Sequence, residues 1–280
     1  MRLANLASRL TMLRDGGAID VEDASQGRFG SDPQAVYDDW EPFCAWAQSA
    51  PTEPQPFDPV QLGPPAPRPR QVFAVGLNYA MHAREAGLEL PPMPLTFTKF
   101  PSCIVGPGAE VEVATDRVDW EVELVAVIGR RAHRVPAEEA WDHIAGLTIG
   151  QDLSARDVQM MGSPPQFSLG KSFPGFGPTG PWLVTPDELE DRDDLEIGCA
   201  VNGEQMQSDR TSSMLFSIPE MIARMSAICP LLPGDLLFTG TPAGVGNRME
   251  PPRYLEPGDE LVSTVEGIGS LTTKFVRPSD

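Results

Sequence analysis

Histidine, cysteine and basic charge are all scarce in this chain, and each scarcity closes off a class of chemistry. Three histidines and four cysteines occur in 280 residues. The cysteines (Cys44, Cys103, Cys199 and Cys229) are far apart and form no C-x-x-C pair, which excludes a zinc knuckle and a small disulfide framework. Reduced, mostly buried thiols are the expectation. Lys and Arg total 21 against 40 Asp and Glu, a formal net charge of −19. So little clustered positive charge excludes nucleic acid or an acidic membrane as partner, because phosphate binding needs Lys and Arg. The same surface repels anionic substrates, so a site for an acid must reverse the field locally, as a bound divalent cation does. No apolar run reaches the ~18 residues that span a bilayer. Met1–Arg9 is too polar for the core of a secretory signal. The chain reads as cytoplasmic, with no membrane partner.

What is present is apolar substance. Hydrophobic residues make up 41% of the chain, enough for a sizeable core. The length allows one large domain, or a large one with a small companion. Leu10–Leu13 and Ala18–Val21 flank Asp15-Gly16-Gly17 and read as a strand pair. Asp32 as N-cap and Pro33 after it open a predicted helix with Val36, Trp40, Phe43 and Ala47 on one stripe. Residues 50–70 hold eight prolines and read as an extended connector. This divides the chain into a small N-terminal domain with connector, 1–70, and a main domain, 71–280.

From Gln71 onward the pattern is β-rich. Gln71–Gly76, Ala109–Ala114 and Val118–Gly129 are strand-like, and Asn202-Gly203 predicts a type I′ hairpin. Ser217 and Glu220 form a capping box for one clear helix, whose buried face is Ile218, Met221, Ile222, Met225 and Ile228. Pro233-Gly234-Asp235 and Pro257-Gly258-Asp259 each turn the chain into a strand. Few strands alternate with helices, so a doubly wound sheet is excluded. The fold class is mainly β with a few helices (α+β), rolled or barrel-like.

The informative segment is Asp119-Trp120-Glu121-Val122-Glu123-Leu124. On a strand, Trp120, Val122 and Leu124 share one face, and Glu121 and Glu123 share the other. Burying two adjacent carboxylates costs several kcal/mol without a cation. Asp152 follows the apolar run Ile144–Ile149 and can end a neighbouring strand. Three carboxylates with no thiolate or imidazole beside them make a hard, all-oxygen site that suits Mg²⁺ or Mn²⁺, with Ca²⁺ also admitted. His82 and Glu85, three residues apart in a segment of helical propensity, share a face, and the carboxylate raises the basicity of the imidazole.

Asp119–Gly129, Asp152–Asp157, Gly170–Phe173, Thr239–Gly246 and Gly76–Tyr79 with His82 resemble, in order, the motifs of the fumarylacetoacetate hydrolase family. The resemblance covers about residues 71–276. It implies a β-roll catalytic domain in a homodimer, with metal held at Glu121, Glu123 and Asp152. It implies a lid carrying His82 and Glu85 for water activation, and Lys171 stabilising an enolate. Substrate contacts are implied for Tyr79, Lys99, Gln166 and Thr241, with Lys99 reaching the site through a charged network. Arg156 and Asp157 are expected to pair in support of Asp152. Gln151, Pro174 and residues 160–167 depart from the usual pattern and bear on the pocket. The implied reaction is metal-assisted hydrolytic C–C cleavage of a small acylpyruvate or β-diketo acid. The family also contains oxaloacetate decarboxylation and hydroxydienoate isomerisation. A rival of another class is a Ca²⁺-holding β-protein without turnover, in which His82, Glu85 and Lys171 would be idle.

Overall fold

The computed structural model describes residues 1–50 and 53–278. Strand Val122–Ile128 lies inside an eleven-stranded sheet, between antiparallel neighbours Ile144–Gln151 and Leu236–Phe238. All seven of its residues are buried. It feeds two cores because alternate side chains face opposite ways. Val122, Leu124, Ala126 and Ile128 join one core, and Val125 and Val127 join the other.

A second sheet of five strands runs in the order Glu204–Arg210, Glu196–Val201, Glu260–Val265, Gly269–Val276 and Glu110–Glu112. Its Ile197, Val201, Leu261 and Leu271 pack with Trp120, Val122 and Leu124 in the shared core. The architecture is therefore mainly β with a few short helices, and among the described residues neither sheet closes into a barrel. The Asn202-Gly203 turn has φ of 53° and 82°, the double positive φ that a type I′ hairpin demands. Beyond it the ladder slips: Cys199 faces Gln207 while Ala200 faces Gln205, so Met206 is an extra residue and Gln207 turns inward.

Helix Ile218–Ser226 carries both capping-box bonds, from Ser217 and Glu220. Ile218, Met221, Ile222 and Met225 are buried as the periodicity predicts. Ile228 is not on that face. The helix ends two residues earlier, and Ile228 is 80% exposed.

In the N-terminal segment, Arg9–Arg14 and Gly17–Asp20 form the expected hairpin, but Val21 opens helix Val21–Ala24 rather than ending a strand. Arg2–Leu6, which carries no strong strand pattern, pairs with Arg9–Arg14 on one side and with Gly177–Val184 on the other. The larger sheet thus runs from the N-terminal segment into the rest of the chain. The helix expected from Asp32 begins as a 3-10 turn, Ala35–Asp39, and is α-helical only over Trp40–Ala47. Asp32 instead accepts from Gln34 N at 2.9 Å, a local turn that competes with helix start. Within the proline-rich stretch, Leu62–Gly63 pairs with Asn5 and Leu6. No helix among the described residues is long and apolar enough to cross a membrane.

Candidate metal centre and active site

The site is built where a strand breaks. Val118–Asp119 pairs with Ser154–Ala155, and pairing with Ile144–Gln151 begins only at Val122. Trp120 and Glu121 lie between, so their backbone needs other partners. Glu121 N donates to Gln151 Oε1 at 2.8 Å, and Asp152 N donates to Glu121 O at 2.9 Å. Gln207, reaching across from the second sheet, accepts from Val122 N at 2.9 Å. The two side-chain amides fix the direction in which Glu121 and Glu123 leave the strand. Ligand-capable oxygens of Glu121, Glu123 and Asp152 all lie within 4.8 Å of one another, and all three residues are buried.

Three buried cations surround them. Lys171 Nζ lies 2.7 Å from Glu121 Oε2 and 2.5 Å from Asp152 Oδ2. Lys99 Nζ donates to Asp152 Oδ1 at 2.8 Å and to the Lys171 carbonyl. Arg156 bridges Asp119 and Glu121, each at 2.7 Å. Asp119, Glu121, Glu123 and Asp152 set four carboxylates against these three cations, leaving one negative charge in excess. Burial pushes the Glu121 carboxyl up, but Lys171 and Arg156 outweigh it and bring it down to about 2. Among the described residues Glu123 forms no ion pair; its Oε2 accepts from Gly240 N at 2.7 Å. Burial, then the charges of Asp152 and Glu121, hold its carboxyl well above the usual range. Hard oxygen donors, net negative charge and one carboxylate pressed toward taking a proton fit a divalent cation.

Glu121, Glu123 and Lys171 open into a cavity of about 170 Å³ that His82 and Thr241 also line. Its walls include Leu88, Leu95, Phe97, Met160 and Phe167. His82 lies on helix Ala80–Glu85, with Nδ1 3.2 Å from Glu85 Oε2. Glu85 is itself held by Gly244 N, at 3.1 and 3.3 Å from its two oxygens. This pairing assigns the ring proton to Nδ1 and leaves Nε2 free to accept.

The remaining candidates are placed less uniformly. Thr241 lines the cavity, yet its hydroxyl donates to Val122 O at 2.9 Å and accepts from Gln207 Nε2 at 2.8 Å. Lys99 is wholly buried behind Asp152 and does not line the cavity. Tyr79 caps the His82 helix at its N-terminus and is wholly buried, its phenol without a hydrogen-bond partner among the described residues. Burial, then the nearby Glu123 charge, raises that phenol above its ordinary range. Gln166 is exposed, outside the lining, and accepts from Ser168 N at 2.9 Å as a helix cap. The expected Arg156–Asp157 pair does not form, because adjacent residues on a helix point apart. Asp157 accepts from the Thr115 hydroxyl instead. Phe97, its ring 5.7 Å from that of Phe167, and Asn247 and Arg248 of the 3-10 turn Gly246–Arg248 also line the cavity without having carried a sequence signal, whereas Met160 and Phe167 come from the stretch 160–167 expected to bear on the pocket.

Residues 71–276 match the profile of the fumarylacetoacetate hydrolase C-terminal domain. The chain is 44% identical over 223 residues to a mitochondrial oxaloacetate tautomerase FAHD2A from Bos taurus, covering 79% of this chain and 71% of that protein. The crystal structure of a putative HpcE protein from Mycobacterium smegmatis superposes with a TM-score of 0.95 at 49% identity, covering 100% of both chains. Fumarylpyruvate hydrolase from Pseudomonas aeruginosa, solved with Mn²⁺ and pyruvate, superposes with a TM-score of 0.69 at 32% identity, covering 75% of this chain and 91% of that one. The order of the motifs, the two sheets and these similarities together place the chain in the fumarylacetoacetate hydrolase family.

Proposed function

We propose that the chain is a divalent-metal enzyme that moves a proton at carbon 3 of a small 2-oxo acid, with oxaloacetate as the model substrate. The observation that carries the reading is the His82 imidazole, tied to Glu85, lining the same small cavity as Glu121 and Glu123, with Asp152 buried directly behind them. About 170 Å³ is below the ~300–1,000 Å³ of sites for drug-sized ligands, which favours a substrate of a few carbons.

Mg²⁺ or Mn²⁺ held by Glu121, Glu123 and Asp152 would anchor the substrate's carboxylate and 2-oxo group and make the carbon-3 protons more acidic. His82 Nε2 accepts the proton, and Glu85 stabilises the imidazolium that results. The Lys171 ammonium, fixed by Glu121 and Asp152, offsets negative charge that builds on the enolate oxygen. Returning the proton to oxygen completes the keto–enol interconversion. The apolar wall of Phe97, Phe167 and Met160 keeps bulk water from the enolate.

A second reading, hydrolytic C–C cleavage of an acylpyruvate, is favoured by the similarity to the fumarylpyruvate hydrolase. In it the same His82 takes its proton from water. Decarboxylation of oxaloacetate and isomerisation of a hydroxydienoate would pass through the same enolate. The proposal includes a cytoplasmic homodimer, and residues 71–280 as the catalytic domain, supported by the matched region holding every candidate site residue. The test follows enol absorbance with oxaloacetate and with acylpyruvates, in Mg²⁺ or Mn²⁺ and in EDTA. Consumption of acylpyruvates alone would replace the first reading by the second. Thermal stabilisation by Ca²⁺ with no turnover of either would leave only the binding protein.

A further inference from the structure

We infer that Arg248, with the amide of Asn247 beside it, recognises a second carboxylate at the far end of the substrate, making this cavity selective for oxo-diacids. The inference rests on the reading of the cavity as a 2-oxo-acid site.

The argument begins with which cations are already spent. Arg156, Lys171 and Arg248 are the Lys and Arg residues that line the cavity. Arg156 is ion-paired with Asp119 and Glu121 at 2.7 Å each and donates to Gln159 at 2.9 Å. Lys171 is held between Glu121 and Asp152. Arg248 forms no ion pair and no side-chain hydrogen bond among the described residues, and it is exposed at the rim. In a chain of net charge −19, a guanidinium without a carboxylate partner at the mouth of a site leaves its fork of donors open to a ligand.

The neighbouring residue is prepared in the same way. Tyr254 OH donates to Asn247 Oδ1 at 2.8 Å. That bond fixes the amide by its oxygen and leaves the NH₂ group, which has no acceptor among the described residues, to donate elsewhere. The backbone beneath both side chains is held. Gly246 N and Asn247 N donate to Asp119 at 2.7 and 3.0 Å, and Arg248 N donates to Val245 O at 3.1 Å. Asp119 also holds Arg156, so rim and floor share one carboxylate anchor.

Charge balance points the same way. The floor carries four carboxylates and three cations, and a divalent ion would turn its excess of one negative charge into one positive. One substrate carboxylate neutralises that charge. A second finds no free countercharge on the floor, and the wall between is apolar. Of the Lys and Arg side chains that line the cavity, Arg248 is the one unpaired among the described residues, and the Asn247 amide lies beside it.

The experiment compares two probes with the same 2-hydroxy-acid head, malate and lactate, which differ by the distal carboxylate. Calorimetric binding to the Mg²⁺-loaded protein is measured for the wild type, Arg248→Gln and Arg248→Lys. Malate is expected to bind the wild type about 5- to 10-fold tighter than lactate, a modest factor because the guanidinium is solvent-exposed. Arg248→Gln brings malate down to the lactate affinity and leaves lactate unchanged, and Arg248→Lys retains part of the preference. An unchanged malate-to-lactate ratio in Arg248→Gln, or no preference in the wild type, overturns the inference. Absence of proton exchange at carbon 3 of any oxo-acid, with the malate preference intact, would instead sink the catalytic reading and leave this one standing.

Discussion

The side-chain carbonyl of Gln151 accepts a hydrogen bond from the backbone N–H of Glu121 at 2.8 Å, supplying the partner that the broken strand does not. The other end of the amide donates to Ser263 of the second sheet at 2.8 Å. A residue of no catalytic character therefore sets the exit direction of a carboxylate of the candidate metal centre.

Replacing Gln151 by Leu leaves that N–H buried and unpaired. The expected cost is about 1–3 kcal/mol of stability, read from urea unfolding in EDTA, together with weaker Mn²⁺ binding. Wild-type Mn²⁺ affinity in a variant that is merely less stable would show that Gln151 supports the fold and not the ligand.

His82→Ala is expected to slow enolisation by a factor of roughly 10²–10⁴, the usual contribution of a general base. Mn²⁺ affinity should hardly move, since the imidazole is not among the ligands. Turnover within a few-fold of wild type would remove His82 from the mechanism.

Metal affinity should rise with pH. In the metal-free protein burial, then Asp152 and Glu121, hold the Glu123 carboxyl far above its ordinary value, so it carries a proton at pH values where other carboxyls have lost theirs. A cation must expel that proton, and raising the pH removes the competitor. The sign for stability is opposite: a raised carboxyl makes the metal-free fold less stable as pH rises above the unfolded-chain value. Titrations in two buffers of different ionisation enthalpy count the released proton. A pH-independent affinity with no proton release would contradict this.

Lys99→Met should act on stability before it acts on substrate binding. Lys99 is wholly buried and meets Asp152 at 2.8 Å, so its loss leaves a buried carboxylate one countercharge short. Breaking a buried pair this way costs about 3–5 kcal/mol. A well-folded Lys99→Met protein whose only defect is a raised KM would place Lys99 on the substrate.

The three carboxylates were legible because strand alternation and an apolar run are local patterns. Glu121 and Glu123 share a face by spacing, and Asp152 follows the run that becomes strand Ile144–Gln151. Depth was not legible. Spacing alone does not distinguish Lys99, sealed behind Asp152, from Lys171, which lines the cavity; the family resemblance alone set Lys99 apart, as reaching the site through a charged network. Strand Gly177–Val184 was hidden by its two prolines and two glycines, although it lies inside the larger sheet between Arg2–Leu6 and Ile144–Gln151. Phe97 and Phe167 meet across seventy residues, and such a contact exists only once the chain has folded.

The extra residue at Met206 ties the chemistry of one sheet to the alignment of the other. Because of it, Gln207 points inward to hold Val122 N and the Thr241 hydroxyl. A slip of strand Glu204–Arg210 by one residue against Glu196–Val201 would turn this glutamine toward solvent. The second sheet would still be assembled, while the floor of the cavity lost its brace; tolerance to insertions in this hairpin should therefore track parity rather than length.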